Sequence, residues 1–249
     1  MIPAYNEKAL VLENYLIVAD LHIGLERELS EKGLHVPSQL RKMEARIIEL
    51  LKSTGKERLI ILGDLKHNIP MISWQEYREI PGFIERLSQY ADVALVKGNH
   101  DGAIEKITSD LKVLRELPVN GEVLLLHGHA KPSNLDYDYL IIAHNHPCIE
   151  FRGEFGYGVT ESAWIRLNFK KEYLSTIDIQ KNPEIIIMPA FNDLIYGMPF
   201  NARKSRELIG PFFRNRLVEL SDARVFLLDS TYIGRIKDLK LEIPSQESS

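Results

Sequence analysis

Short apolar runs recur along the chain, and five of them share one design. Each lacks the alternation of apolar and polar residues that marks a half-exposed strand, so we expect strands buried on both faces. The runs are LIVA at 16–19, LIIL at 59–62, VALV at 93–96, LLL at 124–126 and LIIA at 140–143. They predict the central strands of the fold.

Apolar residues at helical spacing predict helices between the first three runs. The segment PSQLRKMEARIIELLKSTG at 37–55 has its apolar residues on one face and predicts an amphipathic helix. The segment IPGFIERLSQY at 80–90 predicts a shorter helix with Pro81 near its start. A β-α-β-α-β order makes neighbouring strands parallel and brings their carboxyl ends to one edge, where open α/β sheets bind ligands.

The pattern changes in the second half of the chain. The turn Asn120-Gly121 lies between two apolar segments and predicts a β-hairpin. After Pro147, four apolar segments in close succession predict a second, partly antiparallel sheet. These segments are ESAWIRLNF at 161–169, EIIIMPAFN at 184–192, ARVFLLD at 223–229 and TYIGRI at 231–236.

The length and composition suit one large hydrophobic core. The chain has 249 residues, of which 45% are hydrophobic, and a chain of this size can bury an extensive core. We expect a single domain over residues 1–243, with a motif-bearing part at 16–147 and a second-sheet and C-terminal part at 148–243. Residues 244–249 are expected to form a flexible tail.

The net charge limits the kinds of partner that the chain attracts, and the cysteine content limits its covalent cross-links. The formal net charge of −4 gives no general attraction to nucleic acid or anionic membranes, so a site for a polyanion would be local. The single cysteine, Cys148, excludes an internal disulfide. The segment MIPAYNEKAL lacks the regions of a signal peptide, and no apolar run approaches the ~20 residues of a membrane helix. These features predict a cytoplasmic protein that does not associate with a membrane.

Every one of the five runs is followed by residues that bind metals. Seven of the eight histidines fall within or beside these strand ends, and His35 alone stands apart. Because the strand ends are expected to meet at one edge of the fold, the sequence predicts a shared metal site there. The motifs are Asp20-Leu21-His22, Gly63-Asp64, Gly98-Asn99-His100-Asp101, His127-Gly128-His129 and His144-Asn145-His146.

The residue types indicate the kind of metal. Side chains at i and i+2 of an extended segment point the same way, so Asp20 with His22, and His144 with His146, would each offer two ligands together. Carboxylates can bridge two cations, asparagine offers a neutral oxygen, and imidazole suits borderline transition metals. The candidates outnumber the ligands of one tetrahedral site and suit two octahedral or five-coordinate divalent ions. The lack of thiolates favours Mn²⁺, and Fe, Zn²⁺ and Ni²⁺ are left open.

The motifs D-x-H, G-D, G-N-H-D, H-G-H and x-H-x-H, in this order over residues 16–147, resemble the signature of the calcineurin-like metallophosphoesterases. The segment IIIMPAFNDLIYGMPFN at 185–201, with GDLKH at 63–67, looks like the Icc-type archaeal and bacterial branch, whose members include predicted phosphoesterases associated with DNA ligase. The resemblance implies an α/β fold, a four-layer α/β/β/α sandwich of two mixed sheets with a dinuclear metal site at the carboxyl ends of strands.

The resemblance also implies roles for individual residues. Asp64 would bridge the two ions. His100 would not be a ligand but would face the substrate and stabilise or protonate the leaving oxygen, and Asp101 would orient it. One ion would take Asp20, His22 and His146 besides the bridge, and the other would take Asn99, His127 and His144.

The function implied is a metal-dependent phosphoesterase that hydrolyses phosphate monoesters or diesters with a hydroxide activated by two metals. Two alternatives are a nuclease that acts on DNA or RNA in repair and a non-catalytic metal-binding scaffold. An intact set of ligands argues against the scaffold.

Several polar residues outside the main motifs are left open. Lys66 and His67 are either exposed turn residues or residues that contact phosphate or support the ligands. His129 is a weaker ligand candidate than His127, which directly leaves its strand. In the segment 201–220, a basic solvated helix face with core phenylalanines competes with a surface that follows a phosphate backbone and stacks a base. The residues concerned are Arg203, Lys204, Arg206, Phe212, Phe213, Arg214 and Arg216.

Overall fold

The structure is a computed structural model that describes residues 1–153, 157–176, 181–202 and 208–241. Its first sheet has six strands in chain order. β1 to β3 are antiparallel neighbours, whereas β3 to β6 run parallel to one another. The strands are β1 Ile2–Pro3, β2 Ala9–Leu12, β3 Tyr15–Val18, β4 Arg58–Leu62, β5 Asp92–Val96 and β6 Lys112–Leu114.

The second sheet contains nine strands. They are β7 Leu117–Val119, β8 Val123–Leu125, β9 Tyr139–Ile142, β10 Pro147–Arg152, β11 Gly158–Asn168, β12 Glu184–Ile187, β13 Met198–Pro199, β14 Arg224–Leu227 and β15 Tyr232–Arg235. The order is β13-β10-β11-β12-β9-β8-β7, and β14 pairs with both β11 and β15. β8, β9 and β12 are parallel neighbours, while β7, β11, β14 and β15 pair antiparallel to their neighbours. Both sheets are therefore mixed, as predicted.

Helices cover the outer faces of the two sheets. Two of them, α2 Leu40–Thr54 and α3 Trp74–Ser88, pack on the first sheet. The short helix α1 Leu25–Glu31 follows β3. Two short helices, α4 Lys171–Thr176 and α5 Pro211–Arg214, contribute to the core outside the second sheet. Short 3-10 turns occur at Ile104–Lys106 and Ile236–Asp238. The four-layer α/β/β/α sandwich is confirmed, although short helices and loops make up its fourth layer.

The apolar runs form strands because both of their faces are covered. In β3, Leu16 and Val18 belong to the core under the helices, whereas Ile17 belongs to the core between the two sheets. A strand sends successive side chains to opposite faces, so a strand between two apolar layers needs an unbroken apolar run. All five predicted strands are present; three lie in the first sheet and two, β8 and β9, lie in the second.

The predicted hairpin is also present. β7 and β8 pair antiparallel around a turn in which Asn120 and Gly121 have φ values of 52° and 69°. Asparagine and glycine tolerate this left-handed conformation better than other residues.

The start of α3 differs from the prediction. Helix α3 begins at Trp74, and Pro81 lies inside it rather than near its first turn. Ser73 and Glu76 form a capping box: the Ser73 hydroxyl accepts from the Glu76 amide, and the Glu76 carboxylate accepts from the Ser73 amide. These bonds satisfy amides that the first helical turn leaves free, so they set the helix start. The sequence S-W-Q-E at 73–76 carried this signal.

Among the described residues, no helix combines the length and apolarity needed to cross a membrane. The predicted flexible tail, residues 244–249, lies outside the described residues. The single-domain boundary at residue 243 stays a prediction.

Candidate metal centre

The loops that follow the five predicted strands bring acidic and histidine side chains together. Among the described residues, three groups have potential ligand atoms that lie within 4.8 Å of one another. The groups are Asp20, His22 and His146; Asp64, His127 and His144; and His22, His67 and His100. The first two groups contain six of the seven ligands predicted from the sequence. The seventh, Asn99, is exposed and lines a cleft of about 570 Å³ together with His127.

The backbone at these residues is left-handed rather than extended. Five of the predicted ligands have positive φ values: Asp20 at 54°, His22 at 44°, Asp64 at 49°, His144 at 71° and His146 at 43°. Residues other than glycine adopt this region at a cost of roughly 1–3 kcal/mol, and such residues cluster at functional sites. The predicted extended backbone is wrong, yet Asp20 and His22 still enter one donor group, as expected of that pair. His144 and His146, which were expected to act as a pair, lie in different groups: His146 joins Asp20 and His22, and His144 joins Asp64 and His127.

Two glycines leave room for these side chains. A Cβ atom on Gly63, whose φ is 80°, would overlap the imidazole ring of His127. A Cβ atom on Gly98 would overlap the carboxylate of Asp64. The glycines in the G-D and G-N-H-D motifs are therefore required by the close approach of neighbouring loops.

Two buried carboxylates are at the centre of the site. Asp20 is fully buried and Asp64 is nearly so. Nε2 of His127 lies 2.9 Å from Asp20 Oδ1 and 3.5 Å from Asp64 Oδ2. Burial disfavours the charge on His127, but Asp64 and Asp20 outweigh it and raise the pKa of this ring to about 9. Burial raises the pKa of Asp64. Burial also tends to raise the pKa of Asp20, but the interactions with His146 and His127 outweigh burial and lower the pKa of this carboxyl group.

Other imidazoles of the site favour the neutral form, which is the form that binds metals. Burial lowers the pKa of His22 well below its ordinary value, and the neighbouring His146 adds to this effect. Burial, followed by the charge on His127, lowers the pKa of His144 to about 3.

Two buried imidazole nitrogens of the site lack hydrogen-bond partners among the described residues. Within the described residues, Nε2 of His22 and Nε2 of His146 make no hydrogen bond. They face carboxylates at longer range: His22 Nε2 lies 3.6 Å from Asp64 Oδ2, and His146 Nε2 lies 3.5 Å from Asp20 Oδ1. Buried polar atoms are rarely left unpaired, and a cation between nitrogen and oxygen donors would satisfy both. The residues present therefore fit divalent metal ions.

His100 lies at the edge of the donor groups. Its side chain is partly exposed, its backbone amide donates to Asp64 Oδ1 at 2.8 Å, and Nδ1 bonds to the carbonyl of His67. Asp101 was expected to orient the ring of His100, but its carboxylate instead accepts from the amides of Gly98 at 2.8 Å and Lys66 at 3.2 Å. The carbonyl of His67 orients the ring, and the buried Asp101 braces the loops that carry Asp64 and His100.

Lys66 is fully buried, so it is not an exposed turn residue or a phosphate contact. Its ammonium group donates to the carbonyls of Asn68 and Met71, the second at 3.5 Å. Lys66 therefore supports the loop after β4. His67 is half-buried within that loop; its Nδ1 lies 3.2 Å from His22 Nδ1, and its Nε2 lies 2.6 Å from a Glu28 carboxylate oxygen.

Glu76 also holds this loop, and the sequence analysis missed it. The carboxylate is fully buried and accepts from the backbone amides of His67 at 2.9 Å, Asn68 at 2.7 Å and Ser73 at 2.6 Å. The capping-box spacing at 73–76 was the signal that would have identified it.

His129 is exposed, and its Nδ1 lies 3.2 Å from His127 Nδ1. His127 is the histidine of this pair that enters a donor group, as predicted from its position at the strand end.

In the described part of the segment 201–220, the two phenylalanines belong to the core and do not form a stacking surface. Phe212 is buried in the core outside the second sheet, and Phe213 packs against that core. Arg214 and Arg216 are exposed. The interpretation of this pair as core phenylalanines is confirmed, whereas Arg203, Lys204 and Arg206 lie outside the described residues.

A family model described as calcineurin-like phosphoesterase matches residues 14–189, more than half of the chain. The chain belongs to the calcineurin-like phosphoesterase family. This membership confirms the resemblance seen in the motifs. The family is one of phosphoesterases, so the membership supports the expectation that this chain hydrolyses phosphate esters.

One curated protein is similar to this chain in sequence, and one solved structure is similar to it in fold. The phosphodiesterase YfcE of Escherichia coli is 31% identical over 120 residues, which are 44% of this chain and 65% of YfcE. The chain thus matches less than two thirds of this curated relative. The crystal structure of the Pseudomonas putida nuclease MPE superposes with a TM-score of 0.58 at 22% identity and covers 90% of both chains. This likeness confirms the fold over nearly the whole chain.

Proposed function

We propose that the protein hydrolyses phosphate esters at a dinuclear metal centre, with phosphodiesters as the favoured class. The observation that carries the proposal is the pair of donor groups around Asp20 and Asp64, each with two imidazoles. One ion would be held by Asp20, His22, Asp64 and His146, and the other by Asp64, Asn99, His127 and His144. Asp64 would be shared because its carboxylate is near both His22 and His127.

Mn²⁺ is the metal that we propose, because the donors are imidazole and oxygen without thiolate. Divalent ions held at such a centre supply Lewis-acid activation of water and of the phosphoryl group. The buried carboxylates contribute the negative charge that retains the ions, and the neutral rings of His22 and His144 offer lone pairs without competition from protons.

His100 is the proposed general acid. The carbonyl of His67 only accepts hydrogen bonds, so Nδ1 of His100 carries the hydrogen of their bond. Nε2, 4.0 Å from Asp64 Oδ2, is left to hold a second proton. As the oxygen of water bonds to phosphorus and the bond to the leaving oxygen breaks, this proton passes to the leaving oxygen.

Diesters are favoured over monoesters because the relative YfcE is a phosphodiesterase, although the match spans 120 residues. A nuclease is the second candidate, since the fold extends over the same length in a nuclease and a cleft continues from the site at Asn99. We also propose that the protein is cytoplasmic, as the sequence predicts.

The test is a screen of metals against substrates. Mn²⁺, Fe²⁺, Zn²⁺ and Ni²⁺ are each combined with a phosphomonoester, a phosphodiester, cyclic nucleotides, and single-stranded and duplex DNA. We expect turnover of diesters with Mn²⁺ and its loss in Asp64→Asn, in which the shared ligand loses its charge. Metal binding without hydrolysis of any substrate would favour the non-catalytic scaffold.

A further inference from the structure

Exposed apolar and aromatic side chains cluster in one short segment beside the metal centre. Trp74 and Tyr77 are 67% and 65% exposed, and Ile69 and Met71 are also exposed. These four residues are called the 69–77 patch below. Exposed apolar residues that are grouped in this way mark a binding face more often than single scattered ones do.

The 69–77 patch is joined to the site through the loop after β4. The carbonyl of His67 bonds to Nδ1 of His100, and buried Lys66 bonds to the carbonyl of Met71. The patch therefore continues from the side of the site where His100 lies. If His100 protonates the leaving oxygen, the patch is positioned to contact the leaving part of the substrate.

The patch is held rigidly. The buried carboxylate of Glu76 accepts from the amides of His67 and Ser73, which fixes the loop to the first turn of α3. Trp74 and Tyr77 are three residues apart on that helix, so their rings lie on one face. A preorganised aromatic surface loses little conformational entropy when a ligand binds.

The chemistry of the surface suits planar rings. The guanidinium carbon of Arg78 lies 4.4 Å from the ring centroid of Trp74. Indole and phenol rings beside a guanidinium group provide stacking and cation-π contacts, and both kinds of contact bind nucleobases without regard to their identity.

Cations lie on another side of the site. The cleft of about 570 Å³ that contains Asn99 and His127 is lined by Lys97, Arg115 and Lys131 and by two carboxylates, Glu105 and Glu116. Lys97 pairs with Glu105, and Glu116 accepts from the amide of Ser133, so Arg115 and Lys131 are the cations that we assign to a phosphate backbone. Surfaces that bind single-stranded nucleic acid combine a positively charged groove for the backbone with aromatic side chains for the bases. The bases of a duplex are already stacked on one another, so an aromatic face can receive only an unpaired base.

We propose that Trp74 and Tyr77 stack an unpaired nucleobase of a single-stranded nucleic acid whose backbone crosses the metal centre toward Arg115 and Lys131. This inference rests on the proposed function, because it treats the ligand of the patch as the substrate of the site.

Cleavage is compared for oligo(dT) and for an abasic strand of the same length, with Mn²⁺ as the metal. The two strands have the same phosphodiester backbone, so a difference reports the bases. We expect kcat/KM to be roughly 5- to 150-fold higher for oligo(dT). Trp74→Ala should lower the value for oligo(dT) toward that of the abasic strand and leave the abasic value unchanged. Trp74→Phe, which keeps a smaller ring, should give an intermediate value.

Binding is measured separately from cleavage. The chain has two tryptophans, exposed Trp74 and buried Trp164, so stacking should quench the exposed fraction of the intrinsic fluorescence. In EDTA, which prevents cleavage, we expect quenching by oligo(dT) and by oligo(rU) but not by the abasic strand. Quenching by one of the two alone would identify DNA or RNA as the source of the base.

The matched control is Tyr5→Ala, which removes an equally exposed aromatic ring from the N-terminal hairpin and should change neither measurement. Unchanged cleavage of oligo(dT) by Trp74→Ala, or equal loss on both strands, would overturn the inference and leave the patch as a surface for a protein partner. Absence of quenching would also overturn it. Quenching without cleavage of any substrate would support the patch and reject the proposed function.

Discussion

At the scale of single residues, Gly98 controls the position of the shared carboxylate. A methyl group there would overlap both the carboxylate and the backbone nitrogen of Asp64. We expect Gly98→Ala to displace Asp64 and to lower kcat by roughly 10²-fold, because misplacement of about 1 Å at an active site has effects of this size. Steady-state kinetics with Mn²⁺ and the amount of bound metal test this expectation.

Gly102→Ala is the matched control, because the nearest atom to its added methyl group is the Pro70 carbonyl oxygen at 4.0 Å. This variant should keep its bound metal and its activity. Full activity in Gly98→Ala would show that the loops tolerate the methyl group and that Asp64 is not held by close packing.

A second prediction about a single residue concerns His100. We expect His100→Ala to retain both metals and to lose about 10²–10⁴-fold in turnover, the usual contribution of a general acid. The loss should be smaller for a p-nitrophenyl ester, whose leaving group is stable without a proton. Metal content measured by atomic emission separates the two roles: loss of metal in parallel with turnover would make His100 a ligand.

At the scale of elements, a partly buried ion pair joins the two long helices on the first sheet. Arg86 in α3 donates through Nε and Nη2 to the two carboxylate oxygens of Glu44 in α2, both at 2.7 Å. We expect Glu44→Gln to lower the free energy of unfolding at neutral pH by about 1–2 kcal/mol, since a charged two-point bond is lost from a partly buried position. Glu31→Gln, which breaks the exposed pair with Arg27, should cost less than about 0.5 kcal/mol.

The ion pair between Glu44 and Arg86 should make the free energy of unfolding depend on pH. The hydrogen bond from Arg86 lowers the pKa of Glu44 below its ordinary value of 4.5. A lowered pKa in the folded state stabilises the protein above pH 4.5, and the contribution is lost as the pH falls toward the folded pKa. Urea unfolding at pH 7 and near pH 3 should show a difference between wild type and Glu44→Gln that shrinks in acid. A difference that grows in acid would contradict this account.

At the scale of the whole molecule, the candidate metal centre connects the two sheets. Asp20 and Asp64 follow strands of the first sheet, whereas His127 and His144 follow strands of the second. An unfolded chain does not hold these donors together, so metal binding stabilises the folded state. At a free metal concentration of 100 times Kd, the gain is about 2.7 kcal/mol, which for this length raises Tm by roughly 5–10 °C.

Thermal unfolding in Mn²⁺ and in EDTA measures this gain. Asp64→Asn should show a much smaller shift because it weakens both proposed ligand sets. An equal shift in the variant would indicate adventitious binding elsewhere on the surface.

Much of this architecture could be predicted from local sequence. A strand covered on both faces requires an unbroken apolar run, so the sequence predicted the five core strands. The Asn120-Gly121 turn predicted the hairpin. The metal-binding character of the strand ends was equally visible, because carboxylates and imidazoles in such numbers have few other roles at buried strand ends.

The arrangement of those side chains depended on tertiary structure. His144 and His146 are two residues apart but lie in different donor groups, whereas Asp20 and His22, with the same spacing and the same left-handed backbone, share one. Packing between the sheets brings His127 to Asp20. A lysine in a turn after a motif is usually exposed, yet Lys66 is fully buried. A tryptophan is usually buried, yet Trp74, the first residue of its helix, is exposed. Local sequence determines which strands and ligand types form, because propensity and periodicity act between near neighbours. The direction and burial of each side chain depend on contacts between segments far apart in the chain, so only the folded structure decides them.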